Sequence, residues 1–527
     1  MRAQLFTVAV QKYTMTADQL PEKQRNMIFW ASFLSLAAAG FGFAYRVMAL
    51  GEWQTEFDLT GQEAGVIFGW SLWPIAITMI LFSLIVDKVG HKLSMYLAFT
   101  FQALSVLLSL SAKSPDGLKM AALCAGLGHG IVEAVINPVC STMYPKDKTR
   151  MLNILHAAWP AGLAVGGALV LLPGLAELSL GARSIWMLIP VIAYGIMLLP
   201  CKFPIDERVQ NNISYSSMLK EVGFLAATLA FFLLSYELLG QFIDPEKTTL
   251  RLVVALVIGF GVGGFFGAYT KSLGKILYFI LCLLMIPLAT TELGTDAWIK
   301  ELMTPTMGEF AGWAIVLSAV IMMGLRFQAG LLAKRFSPPT ILVISSFFSL
   351  CGLMTLSVAN GFAPIIFAFV LYAIGQTFYW PTVLGFAAEQ YPKGGALSLN
   401  TVSAIGLLSV GIIGTPIIGS FRDNHVSNEV KALSAEVYES SKKEASFFGV
   451  PYTAIDTEAA GAAVAGTDLE AGYSKGMSKA TRKSLRTVAF AFPGIMLVSF
   501  ILIALFYRSK GGYKAVELTE GGDASPS

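Results

Sequence analysis

The sequence predicts an all-α, multi-pass membrane protein with about fourteen spans. Three observations carry this. Hydrophobic residues make up 55% of the chain and charged residues 13%, with a mean hydropathy of +0.65. Apolar runs of about 20 residues, enough to cross the hydrocarbon layer, recur from one end to the other. Lysines and arginines gather in short clusters between those runs. A soluble domain has roughly a quarter of its residues charged, so this chain has too little polar surface for water. Its net charge of +3 is spread over loops and forms no basic groove for nucleic acid.

In chain order the runs fall at Met27–Leu50, Ala64–Val86, Leu93–Ala112, Leu118–Cys140, Met151–Leu172, Ile185–Cys201 and Leu219–Ile243. They continue at Leu250–Tyr269, Ile276–Leu293, Met307–Phe327, Ile341–Val358, Phe362–Phe386, Leu397–Ser420 and Val488–Tyr507. Basic clusters at Lys88/Lys92, Lys146/Lys148/Arg150, Lys202/Arg208/Lys220, Lys271/Lys275, Lys334/Arg335 and Arg508/Lys510/Lys514 occupy alternate connections. By the positive-inside bias these face the cytoplasm, which puts both termini there and the long Arg422–Arg486 connection outside. The polar start, Met1 to Gln24, has no cleavable leader pattern, so the first span is expected to target the chain to the cell membrane. The tail after Tyr507 is expected to be disordered.

An internal repeat organises the spans. The ungapped offset that carries Tyr144-Pro145-Lys146 onto Tyr391-Pro392-Lys393 also carries Leu152-Asn153 onto Leu399-Asn400. The same shift aligns Gly61/Ala64/Gly65 with Gly308/Ala311/Gly312, Gly128 with Gly375, and Gly167 with Gly414. Equivalent loops share the positive bias, so both copies run the same way through the membrane, as parallel six-span repeats do. The expected division is a tail (1–25), a six-helix bundle (26–201) and a linker with two extra transmembrane helices (202–272). A second six-helix bundle (273–508) includes the external loop 422–486, and a tail (509–527) follows.

Ionisable groups at membrane depth are costly and point to function. His129, Glu133 and Asn137 recur every four residues and share one helix face. Lipid cannot solvate a carboxylate, so this face should look into a polar cavity. There Glu133 is the candidate proton carrier, with His129 tuning it. Asn153, His156 and Trp159 add a second face. The repeat pairs His129 with Gln376, Glu133 with Trp380, Asn153 with Asn400 and His156 with Ser403. Amides, indoles and hydroxyls around a cavity suit a polyhydroxylated solute. Arg46 is placed near the external end of its span and Arg326 near the cytoplasmic end, where each has the stem length to snorkel. Together they would instead clamp a carboxylate cargo. Glu292, Asp296 and Glu237 are placed at external ends, within reach of water.

The run Ser83-Leu84-Ile85-Val86-Asp87-Lys88-Val89-Gly90-His91-Lys92 resembles the G-x-L-x-D-[RK]-x-G-[RK]-[RK] loop of the major facilitator superfamily. The resemblance implies two parallel six-helix bundles, and a gate in which Asp87, Lys88, Gly90 and Lys92 latch the halves on the cytoplasmic side. Glu133-Ala134-Val135-Ile136-Asn137-Pro138, followed by Leu152-Asn153, is similar to the E-A-x-x-N-P…L-N signature of the fucose–galactose–glucose:proton symporters. Glu292 with Trp298 is similar to that family's E-x₅-W. By this resemblance Glu133 is the substrate- and proton-linked carboxylate, Asn153 lies near the cavity, and Glu292 belongs to the site.

The functional expectation is a secondary active transporter that moves a sugar or sugar-like solute by alternating access with proton symport. The alternative is a proton-coupled symporter of a sugar acid or other organic anion, with a drug exporter or a transporter-like sensor behind it. No Walker or H-E-x-x-H motif occurs, and neither an enzyme nor ATP-driven transport is expected. Cys124, Cys140, Cys201, Cys282 and Cys351 are scattered through apolar runs, which gives no disulfide framework, metal site or cofactor. The expected partners are a small polar solute, a coupling proton and the bilayer, with the chain acting as a monomer.

Overall fold

A computed structural model describes residues 14–59, 61–171, 178–244, 247–295, 313–448, 450–518 and 524–526. Among these, thirteen helices are long and apolar enough to cross a membrane. The first half comprises α1 (Glu22–Leu50), α2 (Glu63–Val89), α3 (His91–Ser111), α4 (Pro115–Met143), α5 (Lys148–Leu171) and α6 (Gly181–Leu198). An extra pair follows, α7 (Tyr215–Leu239) and α8 (Thr248–Thr270). The second half comprises α9 (Ile276–Gly294), the shorter α10 (Trp313–Phe327), α11 (Pro338–Leu356), α12 (Phe362–Gln390), α13 (Pro392–Leu433) and α14 (Glu470–Ser509). Of the aligned repeat residues, Gly308, Ala311 and Gly312 lie outside the described residues.

The repeat reappears as packing. In the first half α1 packs on α5, α2 on α4, α3 on α4, and α3 on α6. In the second half α9 packs on α13, α10 on α12, α11 on α12, and α11 on α14. Between the halves α2 meets α13 and α5 meets α10, and exchanging the halves turns each of these contacts into the other. This is the relation expected of parallel repeats about an axis along the membrane normal. Small residues allow the closest crossings, and a Cβ on Gly162 of α5 would overlap the Ala37 carbonyl of α1.

The extra pair packs on itself, and α7 also lies against α13, α9 and α2. It therefore covers the α2–α13 side of the boundary between halves. The helix α7 breaks at Gly223, whose φ of 57° suits only glycine, and residues Phe224 and Leu225 hydrogen-bond to the carbonyls of Ser272 and Leu273.

Both described ends lie on one face, called here the tail face. Strand β1 (Thr14–Met15) pairs in parallel with β2 (Phe203–Pro204) of the linker. At the other end the chain corrects an expectation. The segment after Tyr507 is ordered at its start: Tyr513 donates to Glu389 Oε2 at 2.8 Å, and Gln390 donates to the Lys514 carbonyl at 2.7 Å. A ring cluster of Phe386, Tyr507 and Tyr513 supplies the apolar burial that holds it.

The opposite, loop face carries the long connection, which is folded. Helices α13 and α14 have 42 and 40 residues, about twice the ~20 that a bilayer needs. Their outer turns pair as a hairpin. Between them lie Ala435–Ser441, the antiparallel strands β3 (Lys442–Phe447) and β4 (Val450–Ile455), and Thr457–Val464. A separate small core of Val426, Val430, Val437, Ile455, Ala460, Val464 and Ala480 holds this unit together. Its turn reaches back to the extra pair, where Phe448 stacks edge-on against Tyr236 at 5.1 Å.

Candidate functional site

Prolines shape the centre of the molecule. A helical proline lacks the N–H that would bond the carbonyl four residues earlier. Pro138, Pro160 and Pro381 thereby free the carbonyls of Ala134, His156 and Thr377. Each is taken by a side chain from the second half. Asn400 Nδ2 donates to the Ala134 carbonyl at 3.2 Å. Arg326 donates through Nη1 to the His156 carbonyl at 2.9 Å and through Nε to the Thr377 carbonyl at 2.6 Å. A buried carbonyl without a donor costs about 1–3 kcal/mol, so these bonds offset the kinks that the prolines create. The kinks in α5 at His156 and in α12 after Gln376 open space between the halves.

That space is a small cavity of about 30 Å³ lined by His129, Glu133, His156, Trp159, Glu292, Leu293, Arg326, Trp380 and Leu407. That matches the ~30 Å³ share of one water molecule in the liquid. On the α4 side, Glu133 Oε2 accepts from Asn137 Nδ2 at 2.7 Å, and Oε1 lies 3.7 Å from His129 Nε2. Asn137 Oδ1 in turn meets His156 Nε2 at 2.9 Å. The carbonyl oxygen only accepts, so His156 donates there. His129 stacks on Trp159 at 5.1 Å with 22° between the ring planes. On the second-half side, Arg326 Nη2 donates to Glu292 Oε1 at 2.7 Å, and the Trp380 backbone N–H reaches Glu292 Oε2 at 3.3 Å.

One alternative for Arg326 falls here, and one expectation for Glu292 is corrected. Arg326 does not snorkel; it is 1% exposed, drawn inward by two freed carbonyls and a carboxylate. Glu292 is not open to water at a helix end; it is 3% exposed, in a π-turn at Thr290–Gly294 that directs it at Arg326. Its sequence companions Asp296 and Trp298 lie outside the described residues.

The structure brings His129, Glu133, His156, Trp159, Trp380, Glu292 and Arg326 to one cavity, with Asn137 joining Glu133 to His156. It places others elsewhere. Asn153 donates to Thr149 O at 2.8 Å and Thr382 Oγ1 at 3.3 Å, which makes it part of the contact between halves. Gln376 donates to Ser318 Oγ of α10 at 2.7 Å. Arg46 packs beside Gly42 and Met187 within the first half and does not line the central cavity. Leu293, Leu407 and Thr377 escaped the sequence reading. Of these only Thr377 leaves a signal, the proline four residues on.

A larger cavity of about 310 Å³, at the lower end of the ~300–1,000 Å³ range of small-molecule sites, shares His129, Trp159, Leu293 and Leu407 and runs toward the loop face past Gly65, Phe68, Trp73 and Glu237. Toward the tail face the halves are closed. Thr149 Oγ1 donates to Glu389 Oε1 at 2.5 Å, and Lys148 donates to Glu207 Oε2 at 2.6 Å and to the Ala388 carbonyl at 3.3 Å. The expected gate loop sits beside this closure, but its bonds go to the linker and to the end of the first bundle. Asp87 pairs with Arg208, Lys92 donates to the carbonyls of Leu199 and Cys201 at 2.8 and 3.0 Å, and Lys88 lies over the Tyr215 ring. Gly90, at φ 89°, makes the turn. The linker makes the link to the second half: a Cβ on Gly395 would lie 3.3 Å from Asp206 Oδ1.

Residues 31–291 match the Major Facilitator Superfamily family model. No curated protein matches the chain by sequence. Among solved structures, the chain is similar to the fucose:proton symporter of E. coli at TM-score 0.55 and 13% identity, covering 89% of this chain and 98% of that one. It is also similar to a human organic anion transporter (0.54, 12%, 92% and 100%) and to the E. coli proton:xylose symporter (0.53, 12%, 90% and 96%). At these identities the likeness concerns the fold. By family model and fold together, the chain belongs to the major facilitator superfamily, a multi-pass membrane protein built as a transporter.

Proposed function

We propose that this transporter carries a neutral, polyhydroxylated solute of sugar type by proton symport, with Glu133 as the group that takes and releases the proton. The observation that carries this reading is how charge is divided in the central cavity. Arg326, its one guanidinium among the described residues, is bonded to Glu292, the His156 carbonyl and the Thr377 carbonyl. Glu133 has an amide and an imidazole beside it and, among the described residues, no lysine or arginine paired with it. A proton exchanged at Glu133 breaks no arginine pair, whereas one at Glu292 would leave the buried Arg326 without its carboxylate. The indoles of Trp159 and Trp380 give apolar faces for sugar rings, while the carboxylates and imidazoles can bond hydroxyls. Two of the proteins of similar fold are sugar:proton symporters, which agrees with this reading. With the tail face in the cytoplasm of the cell membrane, as the basic loops favour, the cavity leads outward and the inner face is closed.

The experiment is uptake by proteoliposomes against a panel of neutral sugars and sugar acids, with and without a pH gradient. Glu133→Gln is expected to abolish gradient-driven accumulation while leaving exchange intact. Arg46→Gln is expected to leave uptake of a neutral cargo within about two-fold, because Arg46 is outside the cavity. Unimpaired accumulation by Glu133→Gln would remove it from coupling. Uptake of sugar acids alone would favour the organic-anion reading.

A further inference from the structure

The turn between α2 and α3 gathers donor groups that the central cavity does not use. Gly90 bends the chain so that Asp87, at the end of α2, and His91, the first residue of α3, come together. The linker after β2 brings Asp206 to the same place. One donor atom from each of the three lies within 4.8 Å of the other two. His91 is 7% exposed and Asp206 4%.

Each side chain is already held by one of its atoms. His91 Nδ1 meets the Pro204 carbonyl at 3.3 Å, and because that oxygen only accepts, the ring proton sits on Nδ1 and Nε2 bears the lone pair. Asp87 is held by Arg208 through Oδ2, and Asp206 Oδ1 accepts the Arg208 backbone N–H at 2.9 Å. Arg208 also donates to the Ile213 carbonyl at 2.6 Å. What remains is unusual: among the described residues, His91 Nε2 and Asp87 Oδ1 are buried with no hydrogen-bond partner. Two acceptors on side chains of one cluster, both buried and both lacking a donor, are what a bound cation would satisfy. An imidazole oriented by a carbonyl on its far nitrogen, and carboxylates steadied by N–H donors, are held in the way metal ligands are held. One nitrogen and two carboxylates suit zinc and its neighbours in the transition series better than calcium or magnesium, which prefer all-oxygen shells.

We propose that Asp87, His91 and Asp206 form a binding site for a divalent transition metal of the zinc class. The ion joins the α2–α3 turn to the linker where the linker touches Gly395, the first residue of the long helical run of α13. Its chemistry is that of a structural clasp on the tail face, independent of the solute and proton at the centre. The sequence hides the set, because Asp206 is remote in the chain and no two ligands share a metal-binding motif.

The test uses the full-length protein in detergent, titrated calorimetrically with zinc chloride and, in parallel, with cobalt chloride monitored by its visible absorption. Wild type is expected to bind one equivalent with cobalt bands of nitrogen–oxygen ligation, and zinc is expected to raise its melting temperature. His91→Gln and Asp206→Asn should each weaken binding by roughly ten-fold or more and remove the thermal shift. His129→Gln, which alters the central imidazole instead, should change neither. Circular dichroism and metal-free melting establish that the variants fold. No saturable binding by wild type, or binding unchanged in both His91→Gln and Asp206→Asn, would overturn the proposal.

Discussion

Arg326 stands between two halves and holds something in each. Its guanidinium bonds the His156 carbonyl in the first half, and Thr377 and Glu292 in the second. Removing one member of a buried ion pair leaves the other charged and unsolvated, a loss of about 3–5 kcal/mol, whereas removing both is far milder. Arg326→Met should therefore lower the melting temperature in detergent more than Arg326→Met/Glu292→Gln does. An equal or larger drop in the double variant would mean that the pair is not what stabilises the centre. Glu133 was legible in the sequence for the same reason that Arg326 matters: a charge inside an apolar run must have a partner or a cavity. What the sequence withheld was the partner. Nothing in the spacing of Glu292 and Arg326, on different helices, says that they meet.

At the scale of elements, the prolines convert backbone into ligand. Ala134 loses its helical donor at Pro138, and Asn400 supplies one from α13. Asn400→Ala should cost about 1–3 kcal/mol. In a Pro138→Ala background, where the N–H returns, the cost should shrink. A double-mutant cycle on thermal stability measures the coupling, and additive effects would refute it. The spans themselves were readable because lipid demands an unbroken apolar run and an internally bonded backbone. The folded unit between α13 and α14 was not. Its helices are short or polar, and its core of seven small side chains leaves no periodic trace. The tail strap at Tyr513 was hidden likewise, since its order comes from rings on α12 and α14.

For the whole molecule, the closed tail face is the state that the proposed alternating access would have to undo. Thr149 and Glu389 touch across it, one from each half. A disulfide between Thr149→Cys and Glu389→Cys should arrest transport under oxidant and release it under reductant. Transport that continues through the cross-link would show that this face never parts. The native thiols are largely buried, which keeps the readout clean. The helices α7 and α8 carry a constraint of another kind. Each crossing reverses the direction of the chain, so an insertion between the repeats preserves their like orientation only if it is even. One of the two could not be lost without turning α9 to α14 upside down and separating every pair of residues that now meets across the midline. Any descendant of this chain must therefore keep both helices or discard both.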